Sequence, residues 1–104
     1  MTVLAELAAT IAARKSAGAD TSYTASLLAG GIQKCAKKFG EEAVEFLLAA
    51  PAGDKAHSAA EAADVLYHLL VLLEASDVSL DEVLDTLAAR QGTSGHAEKA
   101  SRSS

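Results

Sequence analysis

Apolar residues recur along this chain at intervals of three and four positions, which is the spacing of one face of an α-helix. The pattern predicts a first amphipathic helix over residues 2–17. A short second helix is predicted over residues 23–29, because residues 20–22 all carry side chains that cap a helix N-terminus. Gly30 and Gly31 follow it and allow the chain to change direction before the next helix.

The third and fourth predicted helices carry most of the apolar residues. The third covers residues 32–50 with one apolar stripe, and Pro51 ends it because a proline drives the preceding residue out of the helical conformation. The fourth follows the N-cap Asp54 and continues to about Ala75. Over residues 65–73 it is apolar on nearly every side, and such a helix is usually buried all round. One short chain has too few helices to cover it, so the sequence predicts a homodimer.

A complete helix start signal lies near the C-terminus. Ser79 and Glu82 have the spacing of a capping box and predict a fifth helix that ends near Arg90. Residues 91–104 are polar and show no periodicity, and we expect a disordered tail there. The sequence therefore predicts an all-α fold, a four- to five-helix up-down bundle over residues 1–90 that forms a tight homodimer.

Composition agrees with a single helical domain. The 104 residues are 50% hydrophobic and only 4% aromatic, so alanine and leucine must fill one core. The net charge of −5 argues against a nucleic-acid-binding surface. The single cysteine, Cys35, lies on the apolar stripe of the third helix, so we expect it to pack in the core in a reducing compartment. The sequence shows neither a secretory signal nor an apolar run near the ~20 residues that span a membrane, which predicts a cytoplasmic location.

Two pairs of carboxylates lie on the third and fourth helices. Glu42 and Glu45 are three residues apart, as are Glu61 and Asp64, so each pair shares one helix face. If the two helices pack antiparallel, all four side chains can converge. Converging carboxylates beside an apolar run favour a divalent cation such as Mg²⁺, which prefers oxygen ligands. The alternative is that they are ordinary solvated acids that form surface ion pairs.

Other residues near these acids allow more than one interpretation. Lys34, Lys37 and Lys38 form either a solubilising face or a clamp for phosphate groups. His68 is a candidate base or a partner of the acids, and a satisfied core histidine is the alternative. Gly40 lies inside the third helix at a cost of about 1 kcal/mol relative to alanine, which indicates either close approach of a backbone or ligand, or no function.

The order of these acids resembles the signature of the all-α nucleoside-triphosphate pyrophosphatase superfamily. Glu42 and Glu45 are followed after 15 residues by Glu61 and Asp64. Three segments resemble more closely the phosphoribosyl-ATP pyrophosphatase family within it: residues 22–24, 38–45 and 63–73. One departure is Asp77, which stands where a glycine is usual in that family.

The resemblance implies Mg²⁺-dependent hydrolysis of 1-(5-phosphoribosyl)-ATP to 1-(5-phosphoribosyl)-AMP and pyrophosphate, the second step of histidine biosynthesis, in an obligate helical dimer. The implied metal ligands are Glu42, Glu45, Glu61 and Asp64. Glu41 would be a further ligand or would orient water, and the catalytic carboxylate remains open among Glu41, Glu42 and Glu45. The implied substrate contacts are Lys34 and Lys38 with the phosphates, and Tyr23 and Thr24 along its border.

Two other functions compete with this one. The first is a house-cleaning pyrophosphatase that acts on non-standard nucleoside triphosphates with the same metal site. The second is a helical dimerisation module whose acids are only surface residues. Release of pyrophosphate that depends on Mg²⁺ separates the module from both enzymes, and the choice of substrate separates the two enzymes.

Overall fold

The computed structural model describes residues 2–91, which form five α-helices and one short 3₁₀ turn with no strand in that range. The helices are α1 (Val3–Arg14), α2 (Tyr23–Ala29), α3 (Ile32–Ala49), α4 (Lys55–Ala75) and α5 (Leu80–Arg90). This confirms the predicted all-α fold. The tail predicted to be disordered, residues 91–104, lies outside the described residues except for Gln91, which is in a turn.

The first two helices begin at capped residues. Thr2 and Ser22 each accept a hydrogen bond from the backbone N–H three residues ahead, as N-caps do. α1 ends at Arg14, three residues before the predicted end at residue 17. The chain turns there, and the Nζ of Lys15 instead lies 3.4 Å from the carbonyl oxygen of Glu74 on α4.

α3 and α4 form an antiparallel hairpin that makes the centre of the fold. The Ser58 hydroxyl donates to the Ala49 carbonyl next to the connection, whereas Glu42 and His68 face each other farther from it. The connection itself is the 3₁₀ turn Ala50–Ala52, followed by Gly53 in the left-handed region with φ of 85°. This arrangement brings the acidic stretch of α3 against the first half of α4.

The core lies where four helices meet. Its buried side chains are Ile11, Leu27, Cys35, Leu70 and Val71. The Cys35 thiol donates to the Leu27 carbonyl at 3.3 Å, and burial raises the pKa of this thiol. The cysteine is therefore a core residue, as predicted.

The corner between α4 and α5 is closed by backbone hydrogen bonds. The N–H of Val78 donates to the carbonyl of Leu73, and the N–H of Asp77 donates to that of Glu74, which is the Schellman pattern of helix ends. Asp77 takes the left-handed conformation that this pattern requires, with φ of 59°. The predicted capping box follows directly, because the side chains and backbone N–H groups of Ser79 and Glu82 bond reciprocally.

One face of the α3–α4 hairpin remains apolar and exposed. Val44, Leu47 and Leu48 of α3 expose 53%, 66% and 71% of their surface, and Leu66 of α4 exposes 43%. A single chain thus leaves uncovered part of the apolar surface that the sequence predicts to be buried. Among the described helices, none has the length and apolarity to cross a bilayer.

Candidate metal centre

Three acidic side chains meet between α3 and α4. Glu42, Glu45 and Glu61 each offer a carboxylate oxygen that lies within 4.8 Å of the other two. Oxygens bound to one Mg²⁺ at about 2.1 Å are at most ~4.2 Å apart, so small side-chain rotations are enough to bring these three onto one ion. The helical spacing places Glu42 and Glu45 on one face of α3, and the antiparallel hairpin places Glu61 opposite them.

Asp64, the fourth predicted ligand, lies outside this group of three. It is exposed on α4, one turn beyond Glu61, and its charge still acts on Glu42. The structure thus brings together three of the four predicted metal ligands and leaves the fourth at their margin.

The crowding of negative charge changes the protonation of Glu42. A hydrogen bond with Glu45 raises the pKa of the Glu42 carboxyl most, followed by burial and then by the charges of Glu45, Asp64 and Glu61. Carboxyl groups that share a site in this way cannot all ionise easily. A cation at the same place would replace the shared proton, so the site has the electrostatics of one that fits a divalent ion.

Two buried polar atoms at this site have no hydrogen-bond partner among the described residues. They are Oε2 of Glu61 and Nδ1 of His68. Buried polar groups are almost always paired, so such atoms indicate a missing partner such as an ion, a water or a ligand. The His68 ring thus has one nitrogen that faces Glu42 and one without a partner among the described residues.

His68 lies beneath the acids and is only 5% exposed. Its Nε2 is 4.0 Å from Oε1 of Glu42. Burial lowers the pKa of the imidazole most, and the charge of Lys38 lowers it further, against the opposing charges of Asp64 and Glu41. The buried ring is therefore held towards its neutral form.

A second histidine contacts the same acidic cluster from the solvent side. Nε2 of His57 is 4.0 Å from Oε1 of Glu61, but the His57 side chain is 57% exposed. This contact was not predicted from the sequence, although the spacing of four residues on one helix was a usable signal.

The predicted phosphate-binding lysines lie on the outer side of the site. Nζ of Lys38 is 3.3 Å from Oε1 of Glu41, and that hydrogen bond is the main reason that the pKa of Lys38 is raised. Lys34 is exposed one turn earlier on α3, and its stem lies against Gly30. Both lysines are thus at least partly exposed on α3, with Glu41 as the partner of Lys38.

The N-terminus of α2 brings two further predicted residues to the same place. The ring of Tyr23 stacks on that of Tyr67 with centroids 6.5 Å apart and lies edge-on to His68. The Thr24 hydroxyl bonds the Tyr67 hydroxyl. Tyr23 is 55% exposed and so offers a surface to a ligand. Tyr67 was not predicted as part of the site, since its position in the apolar run suggested only packing.

Gly40 leaves open space immediately before these acids. A methyl group built at Gly40 would have no described atom within 4 Å beyond its chain neighbours and the adjacent backbone of its own helix. Close approach of another segment of the described chain is therefore not the reason for this glycine, which leaves a ligand, a partner subunit or no function.

Known proteins resemble this chain over nearly all of its length. The family description "Phosphoribosyl-ATP pyrophosphohydrolase" matches residues 4–91. Proteins named phosphoribosyl-ATP pyrophosphatase are 65% identical in Cereibacter sphaeroides and 62% identical in Rhodobacter capsulatus, each over 98% of this chain and 99% of the relative. The protein of that name in Dinoroseobacter shibae is 64% identical over 98% of this chain and 100% of the relative.

Proposed function

The chain belongs to the phosphoribosyl-ATP pyrophosphohydrolase family, and we propose that its reaction depends on Mg²⁺ held by Glu42, Glu45, Glu61 and Asp64. The chain is a hydrolase of this family. It converts 1-(5-phosphoribosyl)-ATP to 1-(5-phosphoribosyl)-AMP and pyrophosphate, which is the second step of histidine biosynthesis. The metal, the roles of individual residues and the assembly are the proposed part.

The observation that carries the proposal is the set of three carboxylate oxygens within 4.8 Å of one another. An all-oxygen donor set with several negative charges suits a hard cation such as Mg²⁺. The buried and unpartnered Oε2 of Glu61 supports it, because a cation or its bound water would satisfy that atom. When bound, Mg²⁺ neutralises the charge of the triphosphate and activates water near it.

The chain's own residues would bind and orient the substrate around that centre. Lys34 and Lys38 face the phosphates, and the ion pair of Lys38 with Glu41 opens when a phosphate takes its place. One of Glu41, Glu42 and Glu45 accepts a hydrogen bond from the attacking water and orients it. Of these, Glu41 and Glu45 are exposed and Glu42 is half-buried.

Tyr23 and Thr24 form the proposed border of the substrate site on α2. The exposed ring of Tyr23 offers an aromatic face next to Lys38. A purine or ribose packed against that face would exclude water from the phosphates beside it. Thr24 is held by Tyr67, so this border is fixed relative to α4.

The active form is proposed to be a homodimer. The hairpin that carries the acids also carries the exposed apolar side chains Val44, Leu47 and Leu48 on α3 and Leu66 on α4. Burying such side chains against a second copy would stabilise the assembly by about 1.5–3 kcal/mol for each large residue fully covered. The proposed setting is the cytoplasm, and the net charge of −5 speaks against a nucleic-acid partner.

The decisive experiment measures pyrophosphate release from phosphoribosyl-ATP and from ordinary and non-standard nucleoside triphosphates. Each substrate is tested with millimolar Mg²⁺ and with a chelator. We expect rapid release from phosphoribosyl-ATP only, and none with the chelator. A preference for nucleoside triphosphates would favour the house-cleaning alternative, and release that persists in chelator would overturn the metal assignment.

A further inference from the structure

We propose that His68 is a positioning residue for the metal centre, which donates the hydrogen on its Nε2 to the Glu42 carboxylate and so fixes which Glu42 oxygen faces the cation. The inference rests on the proposed function, because it requires the acids to bind a metal. It adds a residue that is neither a ligand nor a contact of the substrate.

The surroundings of the two ring nitrogens of His68 indicate which of them carries the hydrogen. Nε2 of His68 faces Oε1 of Glu42 at 4.0 Å, whereas Nδ1 is buried without a partner among the described residues. An unpaired buried N–H is rarer than an unpaired buried acceptor. The hydrogen of the ring therefore belongs on Nε2, the nitrogen that faces a carboxylate.

The ring has little freedom to turn away from this contact. Tyr67 lies edge-on to His68 with ring centroids 4.9 Å apart and an interplanar angle of 81°. The ring of Tyr23 is also edge-on to His68, with centroids 6.2 Å apart and an interplanar angle of 84°. Tyr67 is itself fixed through its hydroxyl contact with Thr24. The imidazole is thus held in one orientation by residues of two helices.

The remaining gap is closed by movement of Glu42 rather than of His68. A separation of 4.0 Å is about 1 Å longer than a hydrogen bond. In this structure the Glu42 carboxyl is engaged with Glu45, because a carboxylate oxygen of each lies within 4.8 Å of the other. A cation held by both acids would end that engagement, and the rotated Glu42 carboxylate would have His68 as a fixed donor within reach. Residues that orient metal ligands in this way are ordinarily histidines or carboxylates.

The first arm of the test measures binding of Mn²⁺, a substitute for Mg²⁺ whose free form is detected by electron paramagnetic resonance. His68→Phe keeps the ring packing and removes the donor, and we expect it to raise the Mn²⁺ Kd about 10- to 100-fold. His68→Gln places an amide N–H near the position of Nε2, and we expect the Kd to remain within about threefold of the parent, as the donor is retained. Equal weakening by both variants, or none by His68→Phe, overturns the inference.

The chain offers a matched control in His57. Its Nε2 lies at the same 4.0 Å from a carboxylate of the cluster, but its side chain is 57% exposed, against 7% for His68. Water replaces an exposed donor at little cost. We therefore expect His57→Phe to leave the Mn²⁺ Kd unchanged, and an effect as large as that of His68→Phe would contradict a special role for His68.

A second arm uses the parent protein and so does not depend on the folding of any variant. Long-range ¹H–¹⁵N NMR spectra of histidine-labelled protein with bound Mg²⁺ report which ring nitrogen carries the hydrogen. We expect the His68 hydrogen on Nε2, and a hydrogen on Nδ1 overturns the inference. If the parent binds no divalent ion at all, the proposed function fails, which is a different outcome from intact binding in His68→Phe.

Discussion

Thr24 and Tyr67, which are 43 positions apart in the sequence, share a hydrogen bond between their hydroxyl groups. The bond joins α2 to α4 beside the acidic cluster and is partly buried. We expect Tyr67→Phe and Thr24→Val each to lower the free energy of unfolding by about 1 kcal/mol, the net contribution of a typical hydrogen bond. Urea titration of both single variants and the double variant tests this, and the double variant should lose less than the sum. Strict additivity would show that the two hydroxyls do not interact in solution.

The acids should limit the stability of the metal-free protein. The pKa of Glu42 is raised in the folded chain, so the stability that protonated Glu42 contributes is present below its unfolded pKa and is lost as the pH rises through the folded value. At pH 7 in chelator, Glu45→Gln removes the neighbouring charge, and we expect it to melt at or above the parent temperature. Asp85→Asn, a change of an exposed acid on α5, serves as the control. If Glu45→Gln melts well below the parent, Glu45 is a structural hydrogen-bond partner.

Bound Mg²⁺ should reverse the order of melting temperatures, so that the parent becomes more stable than variants of its acids. A ligand that binds only the folded state at 100 times its Kd stabilises it by about 2.7 kcal/mol, so Mg²⁺ should raise the melting temperature of the parent by several degrees. We expect little increase for Glu45→Gln or Asp64→Asn, together with near-complete loss of pyrophosphate release. Thermal melting with and without millimolar Mg²⁺ is the measurement. An undiminished Mg²⁺ response in Asp64→Asn would remove Asp64 from the ligand set.

The exposed apolar face of the hairpin leads to a prediction about assembly. We expect sedimentation at low micromolar concentration to give a dimer in the absence of substrate. Leu48→Glu should shift it to monomer, because a charge at that position would be buried without a partner. Val3→Glu changes an equally exposed residue on α1 and should leave the dimer intact. A folded parent monomer under these conditions would contradict the proposed homodimer.

A substitution at Gly40 is expected to have opposite effects on helix stability and on ligand access. Gly40→Ala meets no atom of the described chain, so we expect it to stabilise the metal-free protein by about 1 kcal/mol through helix propensity. If the open space before Glu41 receives substrate, the same change should reduce kcat/KM several-fold. Ala36→Gly, one turn earlier on the exposed side of α3, makes the opposite change in propensity and should leave kcat/KM unaltered. An active, stabilised Gly40→Ala enzyme would show that the glycine has no role in the site.

The ends of the helices were predictable wherever capping or helix-breaking residues mark them in the local sequence. Ser79 and Glu82 specify the start of α5 by contacts within four residues, and the structure has both of their hydrogen bonds. Pro51 and Asp54 likewise confine the turn between α3 and α4. α1 ends three residues before the predicted position. The contact of Lys15 with Glu74, which follows that end, joins positions 59 residues apart and so could not be read from local periodicity.

The sequence predicted which acidic residues share a helix face, but it did not predict all of the side-chain contacts in the site. Helical spacing was enough to place Glu42 and Glu45 together, and helix pairing then brought Glu61 to them. The marginal position of Asp64 depends on how far α4 is rotated about its own axis, which spacing alone does not determine. The same rotation turns Tyr67 towards Thr24, so its hydroxyl became a site feature that an apolar run could not reveal.

The left-handed residue at the α4–α5 corner has a consequence for how this protein can evolve. Two backbone hydrogen bonds hold Asp77 at φ of 59°, although an L-residue pays about 1 kcal/mol or more for that conformation relative to glycine. The strain lies at the end of α4 opposite the carboxylates, and no described contact of Asp77 reaches them. Drift between aspartate and glycine at this corner can therefore change thermal tolerance in a lineage while its catalytic residues stay the same.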